Sequence, residues 1–237
     1  MRILVFRLFG DLAHFRKFYT TSSPLSFSLP PLPTVRGIVG AIMGFKKDEY
    51  LENTKHLKIG IKIENPVKKT RMGINLIFTK GTSGFDPTLS SKKQALRTQV
   101  KFEFLKDVCY KIYISSEPNE DDLLKHLQNR LLNHQTFYTI SLGLSELLAD
   151  FSFEGVYEAV EEKEVSMVHS VIPVSAVKSL DLEKAKYIAK ERIPTFMLPS
   201  RQVQKYEDVI FDIYGSPLYG KFNNIIKLEN NEHIYLW

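Results

Sequence analysis

Alternation between hydrophobic and polar side chains predicts several strands along this chain. Residues 3–9 form a short apolar run typical of a buried strand, and residues 57–64 alternate strictly between apolar and polar side chains. The same two-residue period returns over 108–114. Between these strands, a basic segment is predicted to form two more, near 67–79 and 93–105, joined by a turn. We therefore expect a hairpin within this region.

Helical spacing occurs in two places. Residues 34–43 follow a proline-rich run, and we expect Thr34 to cap the start of this helix with its side-chain oxygen. A second helix is predicted after Asn119 as N-cap, with an apolar stripe formed by Leu123, Leu124, Leu127 and Leu131. A short strand is predicted over 138–142.

The order of these elements predicts the fold class. Strand, helix, strand, hairpin, strand, helix, strand is the βαββαβ order of a ferredoxin-like, or RRM-like, α+β domain with an inserted hairpin. We expect this domain to span residues 1–150, with the basic hairpin at about 66–106. Residues 151–237 are predicted to be mostly β, in short strands broken by prolines, and to pack on the first domain.

Composition is that of a soluble globular protein, with 43% hydrophobic and 25% charged residues. No apolar run approaches the roughly 18 residues that a membrane-spanning helix needs. The N-terminal segment has no small-residue cleavage site, and the single Cys109 excludes an intramolecular disulfide. These features predict a cytoplasmic protein that does not associate with membranes.

Charge is distributed unevenly along the chain. Residues 66–106 contain nine basic and two acidic residues, whereas 107–165 contain four basic and twelve acidic residues. Such an asymmetry is typical of proteins that bind nucleic acid. The candidate contacts in the hairpin are Lys68, Lys69, Arg71, Lys80, Lys92, Lys93 and Arg97. The alternative is a solvated hairpin whose lysines only prevent edge-to-edge association.

A short segment near the N-terminus combines basic and aromatic residues. It contains His14, Arg16, Lys17 and Tyr19 within six residues. Aromatic faces stack on bases and cations pair with phosphates, so one interpretation is RNA binding. A second is metal-independent RNA cleavage, with His14 as base, Tyr19 as acid and Lys17 beside the phosphorane. A third is an ordinary structural loop.

The helix predicted over 34–43 has an unusual start. Arg36 lies in its first turn, where the helix dipole disfavours a cation, so we expect this residue to contact an RNA phosphate at that helix end. Gly37, Ala41 and Gly44 share one helical face, which allows another backbone to approach closely. The glycines match neither phosphate-loop pattern, so we expect packing here and no nucleotide site.

The sequence offers little for metal, cofactor or serine-nucleophile chemistry. The six histidines lack metal-ligand spacing and one cysteine cannot build a zinc site, so no metal and no cofactor are expected. Residues 143–147 lack the second glycine of a nucleophile elbow, which argues against a serine hydrolase.

The N-terminal motifs resemble those of the CRISPR-associated protein 5 family, within the RAMP superfamily. The segments that carry the likeness are 6–10, 13–16, 23–27, 30–44, 98–99, 103–105 and 142–149. The pattern covers residues 1–150 clearly and the remainder loosely, and the C-terminal part looks most like the subtype I-B branch.

The resemblance implies a subunit of a type I CRISPR interference complex, Cascade. Such a subunit holds the 5′ handle of the crRNA, contacts a backbone subunit through a hairpin thumb, lies beside the large subunit, and meets target DNA only indirectly through the complex. On this view residues 66–106 are the thumb, and the handle-binding surface is lined by His14, Arg16, Lys17, Tyr19 and Arg36. Most members are not nucleases, which implies a non-catalytic protein.

Two alternatives remain open at this point. The I-C branch of the family cleaves the CRISPR repeat itself, and His14, Lys17 and Tyr19 would supply that metal-independent endoribonuclease chemistry. The other alternative is a purely structural assembly subunit. The glycine-rich loop that many RAMP proteins carry near the C-terminus is reduced here to Gly215 and Gly220, so we expect no RNA contact at that turn.

Overall fold

The computed structural model describes residues 1–77, 97–116, 121–184 and 187–237, and in these residues the chain is mostly β with few helices. The strands are β1 (Arg2–Ala13), β2 (Phe15–Arg16), β3 (Ser26–Phe27), β4 (Lys58–Ile63), β5 (Lys68–Ile77), β6 (Arg97–Ser115), β7 (Asp150–Val168), β8 (Ile172–Pro173), β9 (Val177–Leu180), β10 (Ile188–Met197), β11 (Val203–Asp212), β12 (Leu218–Leu228) and β13 (His233–Ile234). The helices are α1 (Leu32–Met43), α2 (Tyr50–Asn53) and α3 (Asp121–Leu132). Within the described residues, none of them is long and apolar enough to cross a lipid bilayer.

One antiparallel sheet organises the molecule. Its strand order is β13-β12-β7-β1-β6-β4, and β5 and β9 pair with β6 and β12. A smaller sheet has the order β10-β11-β8, and β2 pairs with β3. Along the chain, α1 connects β1 towards β4, and α3 connects β6 towards β7. The strands next to β1 are therefore distant from it in sequence.

The main core lies between this sheet and the two longer helices. Leu4, Phe6 and Leu8 of β1 share one face of the sheet, because alternate residues of a strand point to the same side. All three are fully buried, in one cluster with Val39 of α1 and Leu127 of α3. Burial of such side chains stabilises the fold by about 1.5–3 kcal/mol each.

The opposite face of β1 packs against side chains of β6 and of the C-terminal strands β12 and β13, which belong to the same sheet. Ile3 and Val5 of β1 form a second buried cluster with Tyr113 of β6, Leu228 of β12 and Ile234 of β13. Both faces of β1 are thus apolar, which explains the continuous apolar run at the start of the sequence.

An ion-pair network lies beside this second cluster. Its N–O distances are 2.6–3.8 Å, and its members are Arg7, Lys62, Lys111, Glu64, Glu154 and Glu232. Burial alone disfavours ionisation of Glu232, but the hydrogen bond and charge of Lys62 outweigh it and lower the pKa of this carboxyl to about 2. Three basic side chains are therefore committed to internal pairs.

The start of α1 differs from the prediction. The helix begins at Leu32 with Pro31 as its N-cap, and no side chain caps it. Thr34 lies inside the first turn, where its backbone N–H donates to the carbonyl of Pro31 at 2.8 Å. Proline needs no hydrogen-bond partner at the first helical positions, so the proline run itself starts the helix. The prediction that Thr34 is the N-cap is wrong.

The strand predicted over 138–142 is also wrong. This segment makes one isolated bridge, between Ser141 and Leu148. The N–H of Tyr138 donates to the carbonyl of Ala41 at 3.0 Å, at the end of α1, so it does not join a ladder. The strand beside β1 is instead β7, which pairs first with β1 and then with β12. Strands on either side of residue 150 therefore belong to one sheet.

The basic hairpin is continuous with the main sheet at its base. β5 pairs with the first half of β6, with Lys69 opposite Leu105, Arg71 opposite Glu103 and Ile77 opposite Arg97. The second half of β6 pairs with β1 and β4. The predicted turn at 80–87, which begins with Lys80, lies outside the described residues. So do Lys92, Lys93 and the predicted cap Asn119.

Candidate nucleic-acid interface

The loop that runs from β2 through β3 to Ser28 is anchored by two carboxylates, of which Glu103 is buried and Glu191 partly buried. Glu103 of β6 accepts a hydrogen bond from the backbone N–H of Ser26 at 3.2 Å. Glu191 of β10 accepts from the N–H of Ser28 at 2.9 Å and from its hydroxyl at 2.8 Å. The loop that carries the predicted RNA contacts is thereby fixed between the hairpin base and the β10–β11 hairpin.

His14 lies beneath this loop and not on the surface. Its side chain is 2% exposed, and Nδ1 lies 2.7 Å from the backbone oxygen of Glu103. The ring packs against Phe102 and Phe104, with centroid distances of 5.2 and 5.7 Å. Burial lowers the pKa of His14, so the imidazole is neutral at pH 7. RNA contact and general-base catalysis both require an exposed ring, and this geometry argues against both predictions.

Three predicted cations share the two anchoring carboxylates. The Lys17 ammonium lies 3.3 Å from Glu191, and Lys69 lies 3.3 Å from Glu103. Arg71 is more exposed, with its guanidinium 4.0 Å from Glu103. Burial disfavours the Lys17 ammonium, but the Glu191 carboxylate outweighs it and raises the pKa of Lys17. The net charge of this cluster is therefore much smaller than the basic sequence predicts.

The other predicted residues are spread over the surface. Arg16 is exposed and donates to the backbone oxygen of Thr20 at 3.0 Å. Lys68 lies on the opposite face of β5 from Lys69, 3.4 Å from Asp107. Arg97 is exposed at the first residue of β6.

An exposed aromatic platform, formed by Phe18, Tyr19 and Tyr206, lies next to these cations. Phe18 and Tyr19 are 55% and 59% exposed and meet edge to face at 5.1 Å. The Phe18 ring lies 4.7 Å from that of Tyr206 on β11. Leaving such rings in water is unfavourable, which indicates a surface suited to stacking on bases. Sequence analysis missed Tyr206, since no local pattern connects β11 to this loop.

Arg36 is an internal structural residue. It is 9% exposed, and its guanidinium donates to the backbone oxygens of Thr54 and, at 3.0 Å, of Leu57. Burial lowers its pKa to about 10, so it stays charged at neutral pH. The prediction of a surface phosphate contact at Arg36 is corrected here, because the side chain turns inward to bind the segment between α2 and β4.

Comparison with known proteins relates most of the chain to one family. The family model described as CRISPR-associated protein (Cas_Cas5) matches residues 3–209. A structure described as a CRISPR RNA-guided surveillance complex has a TM-score of 0.59 at 11% identity, over 92% of this chain and 91% of that one. A CRISPR protein from Archaeoglobus fulgidus has a TM-score of 0.56 at 15% identity, over 99% and 98% of the two chains. At these identities the likeness shows a common fold. No curated protein matches the chain.

Proposed function

The chain belongs to the CRISPR-associated protein (Cas_Cas5) family, and from this membership we propose that it is a non-catalytic subunit of a type I interference complex, Cascade, which holds the 5′ handle of the crRNA. The observation that carries this proposal is the aromatic platform beside the basic hairpin base. Stacking on Phe18 and Tyr19 would hold bases, while the exposed Arg16 and Arg71 would hold phosphates.

The proposal extends to the architecture and the partners. The strand order β7-β1-β6-β4, with α1 and α3 in the two crossovers, supports a ferredoxin-like βαββαβ core. The β5–β6 hairpin would act as the thumb on a backbone subunit, next to the large subunit. We further propose that the protein belongs to the subtype I-B branch, which the resemblance of its C-terminal part supports, and that it acts in the cytoplasm. Target DNA would be met through the complex.

RNA affinity should depend on the handle sequence and fall steeply with salt. For single strands, four phosphate contacts would reduce affinity roughly 50-fold between 50 and 200 mM salt, because condensed counterions are released on binding. Fluorescence anisotropy with the RNA recovered from a pull-down, compared with a scrambled version, measures both effects. Equal affinity for the two RNAs would contradict handle recognition.

The protein should not cleave repeat RNA. The candidate base His14 is buried, so it is not placed to accept a proton from an RNA hydroxyl. The Lys17 ammonium is paired with Glu191, so it is not placed to stabilise negative charge on a reacting phosphate. Repeat RNA incubated with the wild-type protein and a chelator should stay intact on a denaturing gel. Cleavage by the wild type that disappears in Tyr19→Phe would instead support an endoribonuclease.

A further inference from the structure

The glycine-rich face of α1 is covered only in part. At Gly44, with φ of +84°, a Cβ would lie 2.7 Å from the Phe137 ring, and at Gly40 it would lie 2.7 Å from Tyr50. These two positions need glycine, because a neighbouring aromatic residue occupies the space of a side chain. At Gly37 the nearest atom would be 3.7 Å away, an ordinary contact. Gly37 and Ala41 are only partly buried, so the face at these two residues has room for a further group beside Tyr50.

This face forms the floor of a groove, named here the α1 groove. Two adjoining cavities of about 390 and 540 Å³ share Gly37, Ala41, Tyr50 and Arg201. One side is formed by the segment at 138–141, and the other by the turn between β10 and β11. The volumes are in the range of small-molecule sites, which is about 300–1,000 Å³. The α1 groove is thus large enough for a nucleotide.

The lining of the α1 groove is cationic. Lys46, Lys47 and Arg201 line it, and no Asp or Glu is among the described residues that do so. Lys46 has one distant partner, Glu49 at 3.8 Å on the exposed surface, and such pairs bind weakly. Two other cavities in the described part of the chain are lined by both cations and carboxylates. One contains Arg192 with Glu207 and Asp208, and the other contains Lys184 and Lys221 with Asp181. An anionic ligand fits the α1 groove best.

The backbone of Arg201 supports a role for its side chain. Its φ is +66°, in the left-handed region where glycine is the residue with least strain. Its N–H donates to the carbonyl of Leu198 at 2.8 Å, which closes the turn. Glycine would be the least strained residue at this turn, so the turn itself does not require an arginine.

We propose that the α1 groove binds one or two nucleotides of single-stranded RNA, with a base against Tyr50 or Tyr138 and a phosphate held by Arg201 and Lys47. This rests on the proposed RNA-binding function and adds a second contact region to it. Tyr206 of the aromatic platform is five positions after Arg201, so their Cα atoms are at most about 17 Å apart even in fully extended chain. A single RNA strand can therefore reach both.

Two substitutions test the α1 groove without disturbing the fold. Arg201→Gly removes the guanidinium and relieves the turn, so its melting temperature should equal or exceed that of the wild type. Tyr138→Ala removes a ring that is 46% exposed. Lys163 is an exposed residue of β7 that does not line the α1 groove. Lys163→Glu is therefore the control for a general loss of positive charge.

The probe is a fluorescein-labelled octamer of adenosine, because stacking tolerates any base. We expect Tyr138→Ala to weaken binding about five- to a hundredfold and Arg201→Gly about fivefold or more, with Lys163→Glu changed less than about twofold. If both groove variants keep wild-type RNA affinity while a Phe18→Ala/Tyr19→Ala variant loses it, this inference is overturned and the proposed function stands. Absence of octamer binding by the wild type would overturn this inference, and absence of binding to the RNA recovered from the pull-down as well would also overturn the proposed function. If the groove variants keep their RNA affinity but no longer bind a purified partner subunit, the groove is a protein contact, and this result would also overturn the inference.

Discussion

Replacing Arg36 by glutamate should destabilise the fold severely and not merely weaken RNA binding. The guanidinium satisfies the buried carbonyls of Thr54 and Leu57. The substitution removes the guanidinium donor from the Leu57 oxygen, leaves the Thr54 oxygen only the N–H of Leu57 at 3.1 Å, and adds a buried carboxylate next to both, which costs about 3–5 kcal/mol. Against a typical total stability of about 5–15 kcal/mol, such a loss removes roughly a fifth or more of the stability.

Thermal unfolding measures this effect directly. A loss of this size should lower the melting temperature by roughly 10 °C or more in a chain of this length. Arg16→Glu makes the same change of charge at an exposed position and should melt within about 2 °C of the wild type. An Arg36→Glu protein with wild-type melting and lost RNA binding would restore the surface role that the sequence predicts for this residue.

Removing the aromatic platform should have the largest effect on RNA affinity. Each base stacked on an aromatic side chain contributes about 1–3 kcal/mol, so Phe18→Ala/Tyr19→Ala should weaken binding roughly 30- to 20,000-fold. Stability should change little, because both rings are more than half exposed, at 55% and 59%. Anisotropy with the recovered RNA and thermal unfolding of the same samples separate the two effects.

A matched control exists at the other end of the β10–β11 hairpin. Tyr187 and Tyr214 also form an exposed edge-to-face pair, at 4.6 Å, with 52% and 49% exposure. Tyr187→Ala/Tyr214→Ala removes the same kind of surface away from the anchored loop and should keep wild-type affinity. Equal losses in the two double variants would mean that exposed aromatic residues bind RNA without a defined site.

Much of the backbone follows from local sequence patterns. Strict alternation predicts β4, and the continuous apolar run predicts β1. The strands expected near 67–79 and 93–105 correspond to β5 and the first half of β6. The leucine stripe predicts α3, and the proline run predicts α1 to within two residues. These elements are predictable because backbone geometry repeats every two or 3.6 residues, so that neighbours in sequence report the buried face.

The strand at 138–142 shows where this reasoning fails. Its residues have strand-forming side chains, but the hydrogen-bond donor of Tyr138 is used by the end of α1. A local pattern records side-chain preference and not the availability of a partner strand, since that partner is decided by packing far along the chain.

The sequence by itself determined the main strands and helices, the basic hairpin base and the placement of aromatic and basic residues next to each other at 14–19. Only the tertiary structure decided which of those residues face the solvent. Glu103, 89 residues from His14, and Glu191, 163 residues from Ser28, anchor the loop and pair with Lys69 and Lys17, respectively. Burial and ion pairing depend on residues that are distant in sequence, because the antiparallel sheet brings such residues within hydrogen-bond distance.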